Sequence, residues 1–162
     1  VLRSVVEKAA TGIVIDLRSN AGGILETVVE VASYFLKEGV VVNVVDNQGR
    51  LTAQTVKLKP EVTGLPLIVL VDGYTASGGE VLAGALQDNG RATIAGTRTY
   101  GKGSVNKFYP LKDGSGLYLT VARWLTPKGH PIEGEGLHPD YELELSGDEA
   151  INWAVDYLKG LK

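Results

Sequence analysis

Five consecutive apolar residues, Leu67-Ile68-Val69-Leu70-Val71, cannot show one face to water and the other to a core. Alternate side chains of a strand point to opposite faces, so such a run needs cover on both sides. That is the pattern of an interior strand in a parallel sheet wrapped by helices. Ile13-Val14-Ile15 and Ala92 to Ala95 are shorter runs of the same kind. Between the first two strands, residues 24–37 place Ile24, Leu25, Val28, Val31, Ala32, Phe35 and Leu36 on one helical face, and Gly39 ends it. A second helix is expected from about Gly78 to Asp88, stopped by Asn89-Gly90. Strand and helix therefore alternate through the first two thirds, which predicts an α/β fold with a mostly parallel sheet and flanking helices.

Other segments read as antiparallel pairs. Val40 to Val45 is β-branched, Asp46-Asn47-Gln48-Gly49 is a turn, and Leu51 to Leu58 is a partnering strand. Val105 to Leu111 and Gly116 to Trp124 form a C-terminal hairpin region about the Lys112-Asp113-Gly114-Ser115 turn. Pro139-Asp140 closes the sheet region. A terminal helix runs from Asp148 to Leu158, started by Ser146 or Asp148. Residues 1–9 read as a short helix broken by Gly12.

A chain of 162 residues suits one domain with a sizeable core, spanning residues 1–162. Its net charge of −3 and lack of a basic block argue against a nucleic-acid partner. Cysteine is absent, and the two histidines, His130 and His138, are isolated, so no metal site and no cofactor are expected. No stretch is long and apolar enough to span a membrane, and no signal peptide is visible. Methionine is missing even at position 1, which reads as an excised segment of something longer.

The chemistry centres on two residues. Ser77 follows an apolar strand and opens a helix, in Tyr74-Thr75-Ala76-Ser77-Gly78-Gly79-Glu80. Backbone N–H groups converge at such a place, and small neighbours admit a substrate. The same setting suits an ordinary N-cap serine. Lys102 sits between Gly101 and Gly103, whose tight packing is expected to bury the amine and make it a base. Read alone, the local sequence favours a solvated turn lysine. A second glycine-rich turn, Asp16 to Gly23, ends one strand and opens a helix, where Gly22 and Gly23 offer a further oxyanion donor.

Two rival motifs fit less well. Gly96 to Lys102 has phosphate-loop spacing, but Gly103 follows where Ser or Thr is needed, and strand follows where helix is needed. A Ser-His-Asp triad would draw on Asp113 with His130 or His138. The nucleophile elbow of such enzymes needs glycine two residues before the serine, and Thr75 stands there.

Four segments, residues 12–23, 75–92, 96–105 and 134–143, together resemble the carboxyl-terminal processing peptidases, or tail-specific proteases, a family of Ser-Lys endopeptidases. The glycine-flanked lysine lies 25 residues after the serine, as in that family. The resemblance implies a catalytic core related to the crotonase and Clp-protease folds. It implies Ser77 as nucleophile, Lys102 as general base, and Gly78 with one of Gly22 or Gly23 as oxyanion-hole amides. The family has a lysine-positioning glutamine where Asn106 stands, and commonly serine where Gly79 stands. It implies a protein or peptide substrate and an exported setting: periplasm, thylakoid lumen or cell exterior. It also implies a PDZ domain and further core strands upstream of residue 1, leaving the first strand an uncovered edge that invites association, as in a homo-oligomer. The competing expectation is a catalytically silent module on the same fold that binds peptides or hydrophobic ligands.

Overall fold

The computed structural model describes residues 10–59 and 62–161. The helix read at residues 1–9 lies outside them. Among the described residues, eight strands form two sheets. The first is parallel: β1 (Ile13–Asp16), β4 (Leu67–Val71), β5 (Thr93–Gly96) and β8 (Tyr141–Glu142), in the order β1-β4-β5-β8. The second is antiparallel: β2 (Val40–Asp46), β3 (Leu51–Thr55), β6 (Ser104–Pro110) and β7 (Gly116–Leu125), in the order β3-β2-β7-β6. The helices are α1 (Leu25–Ala32), α2 (Gly78–Asp88) and α3 (Gly147–Gly160).

β4 behaves as its composition requires. Leu67, Val69 and Val71 join one core with Val28 and Val29 of α1, Val81 and Leu86 of α2, and Ile94. Ile68 and Leu70 point the other way and pack on Ala150, Ala154 and Leu158 of α3. Both faces are dry, which is why no polar residue interrupts the strand. Val41 and Val42 of β2 and Trp124 of β7 enter the first core, so the antiparallel sheet packs on the α1–α2 layer. The two hairpins read from the sequence are thus halves of one sheet, joined by β2–β7 pairing.

Two readings need correction. The first helix ends at Ala32, not near residue 37. Tyr34 and Phe35 donate to carbonyls three residues back, and the Ser33 hydroxyl donates to the Val29 carbonyl at 2.6 Å while accepting the Lys57 N–H at 2.8 Å. Ser33 thereby competes with the helix ladder and anchors the chain leaving β3. Phe35 and Leu36 are still buried, as the periodicity required. The sheet region also does not close at Pro139-Asp140. β8 follows, held beside β5 and covered by the ring of Tyr141 against Trp153 and Tyr157, with centroids 5.5 and 5.3 Å away. Two residues are too few to show a period.

Candidate active site

Three loops at the carboxyl ends of β1, β4 and β5 meet around Ser77. The β4–α2 loop carries the serine, whose backbone stands at φ 55°, ψ −120°. A positive φ is strained for a residue with a side chain, and such strain concentrates at functional turns. The loop is nailed to the β1–α1 loop. The buried Thr75 hydroxyl donates to the Leu17 carbonyl at 2.8 Å, and the Ala76 N–H donates to the Asn20 carbonyl at 2.9 Å. Thr75, which broke the elbow pattern, is therefore a strut between the two loops.

Asp72 adds a second tie. Its carboxylate accepts the N–H groups of Ser19, Tyr74 and Thr75 at 2.9–3.0 Å. Burial pushes this carboxyl up, but the N–H groups of Ser19 and Tyr74, with the hydroxyl and N–H of Thr75, outweigh it and hold it below the ordinary aspartate value.

The β1–α1 loop lies against the serine. A Cβ on Gly22 would come within 2.7 Å of both the Gly78 nitrogen and Ser77 Cβ, and its φ of 101° also suits only glycine. The Gly22 N–H is spent on Asn20 Oδ1 at 2.8 Å. The Gly23 N–H has no acceptor among the described residues, and a Cβ on Gly78 would stand 2.9 Å from that nitrogen. The Gly78 N–H is likewise without an acceptor at the start of α2. Behind Gly23 and Gly78 lies an apolar cavity of about 160 Å³, bounded by Leu17, Ile24, Val28 and Leu82.

The third loop carries Lys102. Its flanking glycines are walls, as expected, but what they pack against is backbone. A Cβ on Gly103 would meet the Glu133 nitrogen at 2.3 Å, and one on Gly101 the Gly136 nitrogen at 3.1 Å. The residue between them is left exposed, so the burial expected of Lys102 is not found. Its side chain borders a cavity of about 610 Å³ together with Ala76 and Tyr100.

One side chain that sequence reasoning passed over joins the serine loop to the lysine loop. Glu80, on the third residue of α2, is fully buried. Its Oε2 accepts the Ser77 N–H at 2.9 Å and the Lys102 N–H at 2.8 Å. Its Oε1 accepts the Gly101 N–H at 2.7 Å and the Thr99 hydroxyl at 2.5 Å. Thr99, also buried, accepts the Leu137 N–H at 2.7 Å. The readable signal was the Ser77-to-Glu80 spacing, which is that of a capping box.

The remaining candidates lie elsewhere. The Asn106 carbonyl accepts the Thr120 hydroxyl at 2.8 Å, and its amide nitrogen reaches Ser104 Oγ at 3.4 Å. It thus bonds across the β6–β7 ladder, beside a register shift between Val105 and Asn106, and not to Lys102. Asp113 is occupied in its turn by the N–H and hydroxyl of Ser115. Gly79 faces the Asn20 carbonyl and Thr75 Cγ2, each 3.2 Å from where its Cβ would sit. Among the described residues no cluster of acidic or histidine side chains has metal-binding geometry.

A strand-to-helix serine turn at the carboxyl ends of a parallel sheet, with two amides beside it that have no acceptor among the described residues, is a setting suited to a serine nucleophile. The chain belongs to Peptidase family S41, which matches residues 1–143. It is 42% identical over 143 residues to the carboxyl-terminal-processing protease of Synechocystis, covering 88% of this chain and 33% of that protein. It is 39% identical over 150 residues to the chloroplastic carboxyl-terminal-processing peptidase 1 of Arabidopsis thaliana, covering 91% of this chain and 30% of that protein. The solved photosystem II D1 C-terminal processing protease superposes with a TM-score of 0.83 at 40% identity, over 88% of this chain and 37% of that one. The chain spans about a third of the length of the curated relatives it matches. The family shown is therefore Peptidase family S41, and the relatives matched are carboxyl-terminal-processing proteases.

Two outcomes follow from the carboxylates. Glu80→Gln puts an NH₂ against two N–H donors and should lower stability by about 3 kcal/mol in urea unfolding, the scale of lost charged hydrogen bonds. The depressed Asp72 carboxyl stabilises the fold fully above the unfolded value of about 3.9, and that contribution is lost as pH falls through the lower folded value. Thermal melts from pH 6 down to about pH 2 should fall more steeply for the native chain than for Asp72→Ala.

Proposed function

We propose that this chain is the catalytic core of an endopeptidase in which Lys102 takes the proton of Ser77. Ser77 then attacks a peptide carbonyl, and the acyl-enzyme is released by water. The observation that carries this reading is the shared oxygen: Glu80 Oε2 receives the N–H groups of both Ser77 and Lys102. The nucleophile and base loops are thereby held in one frame. The amides of Gly78 and Gly23, not Gly22, bind the tetrahedral oxyanion, because the Gly22 N–H is already given to Asn20.

Lys102 is exposed in the free chain, so the peptide itself completes the site. A substrate lying over the cavity beside Lys102 excludes water from around the amine that takes the serine proton. The small apolar cavity behind Gly23 and Gly78 holds an aliphatic side chain on the acyl side of the bond. Asn106 acts in the β6–β7 ladder and not on the lysine. The kinship with carboxyl-terminal-processing proteases, chloroplastic ones among them, supports cleavage toward the C-termini of exported proteins in an extracytoplasmic compartment, and a PDZ domain of the parent chain would gather those C-termini.

Ser77→Ala and Lys102→Ala should each lower cleavage of an unfolded protein by on the order of 10⁵-fold with circular dichroism unchanged. His130→Ala and His138→Ala should leave most of it. Retained activity in Ser77→Ala would remove Ser77 as the nucleophile, and absence of Ser77 labelling by a fluorophosphonate would convert the reading to a silent binding module. Gly23→Pro removes one N–H and should lower kcat by about 100-fold with little change in KM, the usual loss of an oxyanion donor. An unaffected kcat would return the second amide to Gly22.

A further inference from the structure

The cavity of about 610 Å³ beside Lys102 is larger than proton transfer needs, and its walls are chemically one-sided. It is bounded by Ser19, Ala21, Tyr74, Ala76, Tyr100 and Lys102. We propose that it receives the first residue after the scissile bond, and that the rings of Tyr74 and Tyr100 select a large apolar side chain there. This assignment rests on Ser77 and Lys102 acting as described above.

The direction of the reaction places the occupant. Once the Lys102 amine has taken the serine proton, it returns a proton to the nitrogen that leaves. The departing segment must therefore lie on the Lys102 side of Ser77, and this cavity is the one that Lys102 borders. The apolar cavity behind Gly23 and Gly78 lies on the oxyanion side and serves the acyl segment.

The walls define the chemistry. Tyr74 and Tyr100 are 75% and 66% exposed, yet neither backbone is loose. The Tyr74 N–H donates to Asp72 at 2.9 Å, and the Tyr100 N–H donates to the Thr75 carbonyl at 3.0 Å. Large exposed rings on pinned backbones present apolar area against which a side chain can dock. Ser19, Ala21 and Ala76 are small and leave the volume to the incoming group. The one charge is the Lys102 amine. A basic side chain is repelled by it, and an acidic one would pair with it and hold its proton, removing the base. A large apolar side chain does neither, and it displaces water from around the amine.

The test uses the intact enzyme and quenched fluorescent peptides identical except at the residue after the cut, carrying Phe, Leu, Gly or Asp. The native enzyme should cleave the Phe and Leu peptides with kcat/KM about 10-fold or more above Gly and Asp, the scale of one well-filled apolar pocket. Tyr74→Ala and Tyr100→Ala should each shrink the Phe-to-Gly ratio at least about threefold, whereas Tyr74→Phe and Tyr100→Phe should keep it. Tyr74→Lys should raise cleavage of the Asp peptide relative to Phe, a gain that misfolding does not produce. A flat native profile, or a ratio unchanged in the double alanine variant, overturns the subsite. Fluorophosphonate labelling of Ser77 is read in parallel. A labelled serine with a flat profile defeats the subsite alone, while an unlabelled serine defeats the peptidase reading and the subsite with it.

Discussion

Four hydrogen bonds to one buried carboxylate hold this site together. Glu80 is fully buried on α2, where its oxygens need donors from the protein itself. It finds them in Ser77, Thr99, Gly101 and Lys102. Bonds to a charged group are worth about 1.5–3 kcal/mol each, and together they offset the cost of burial. The donors come from two loops that are otherwise far apart in sequence, so satisfying Glu80 and assembling the site are the same event. Asp72 plays the matching role between the serine loop and the β1–α1 loop.

Glycines make these approaches physically attainable. Gly22 lets one loop touch Ser77 and Gly78, and Gly103 lets the lysine loop lie on the Glu133 backbone. A methyl group at either place would stand inside another atom, which separates the loops and with them the serine, the amides and the lysine. The parallel sheet supplies the platform, because the ends of β1, β4 and β5 deliver all three loops to one edge.

Much of this was readable along the chain. The alternation of β4 between two cores follows from five apolar residues in a row, and α2 starts and stops where Ser77 and Asn89 place its ends. The family motifs named Ser77 and Lys102. Less readable were the joining of the two hairpins into one sheet, the two-residue β8, and the early end of α1 at Ser33. Each depends on a partner remote in sequence. Glu80 escaped notice because three of its four donors are beyond its own helix, although its spacing from Ser77 was a local signal.

Local sequence by itself determined which residues are candidates for chemistry, which runs form strands and helices, and where backbone must be free of side chains, since these rest on periodicity and on steric freedom. Only the tertiary structure decided how those residues are used. It spent the Gly22 N–H on Asn20 and left that of Gly23 without an acceptor, turned Asn106 into the β6–β7 ladder, and set Lys102 in an open cavity between two tyrosines. Hydrogen-bond partners and solvent exposure are properties of neighbours in space, and a one-dimensional chain does not name those neighbours.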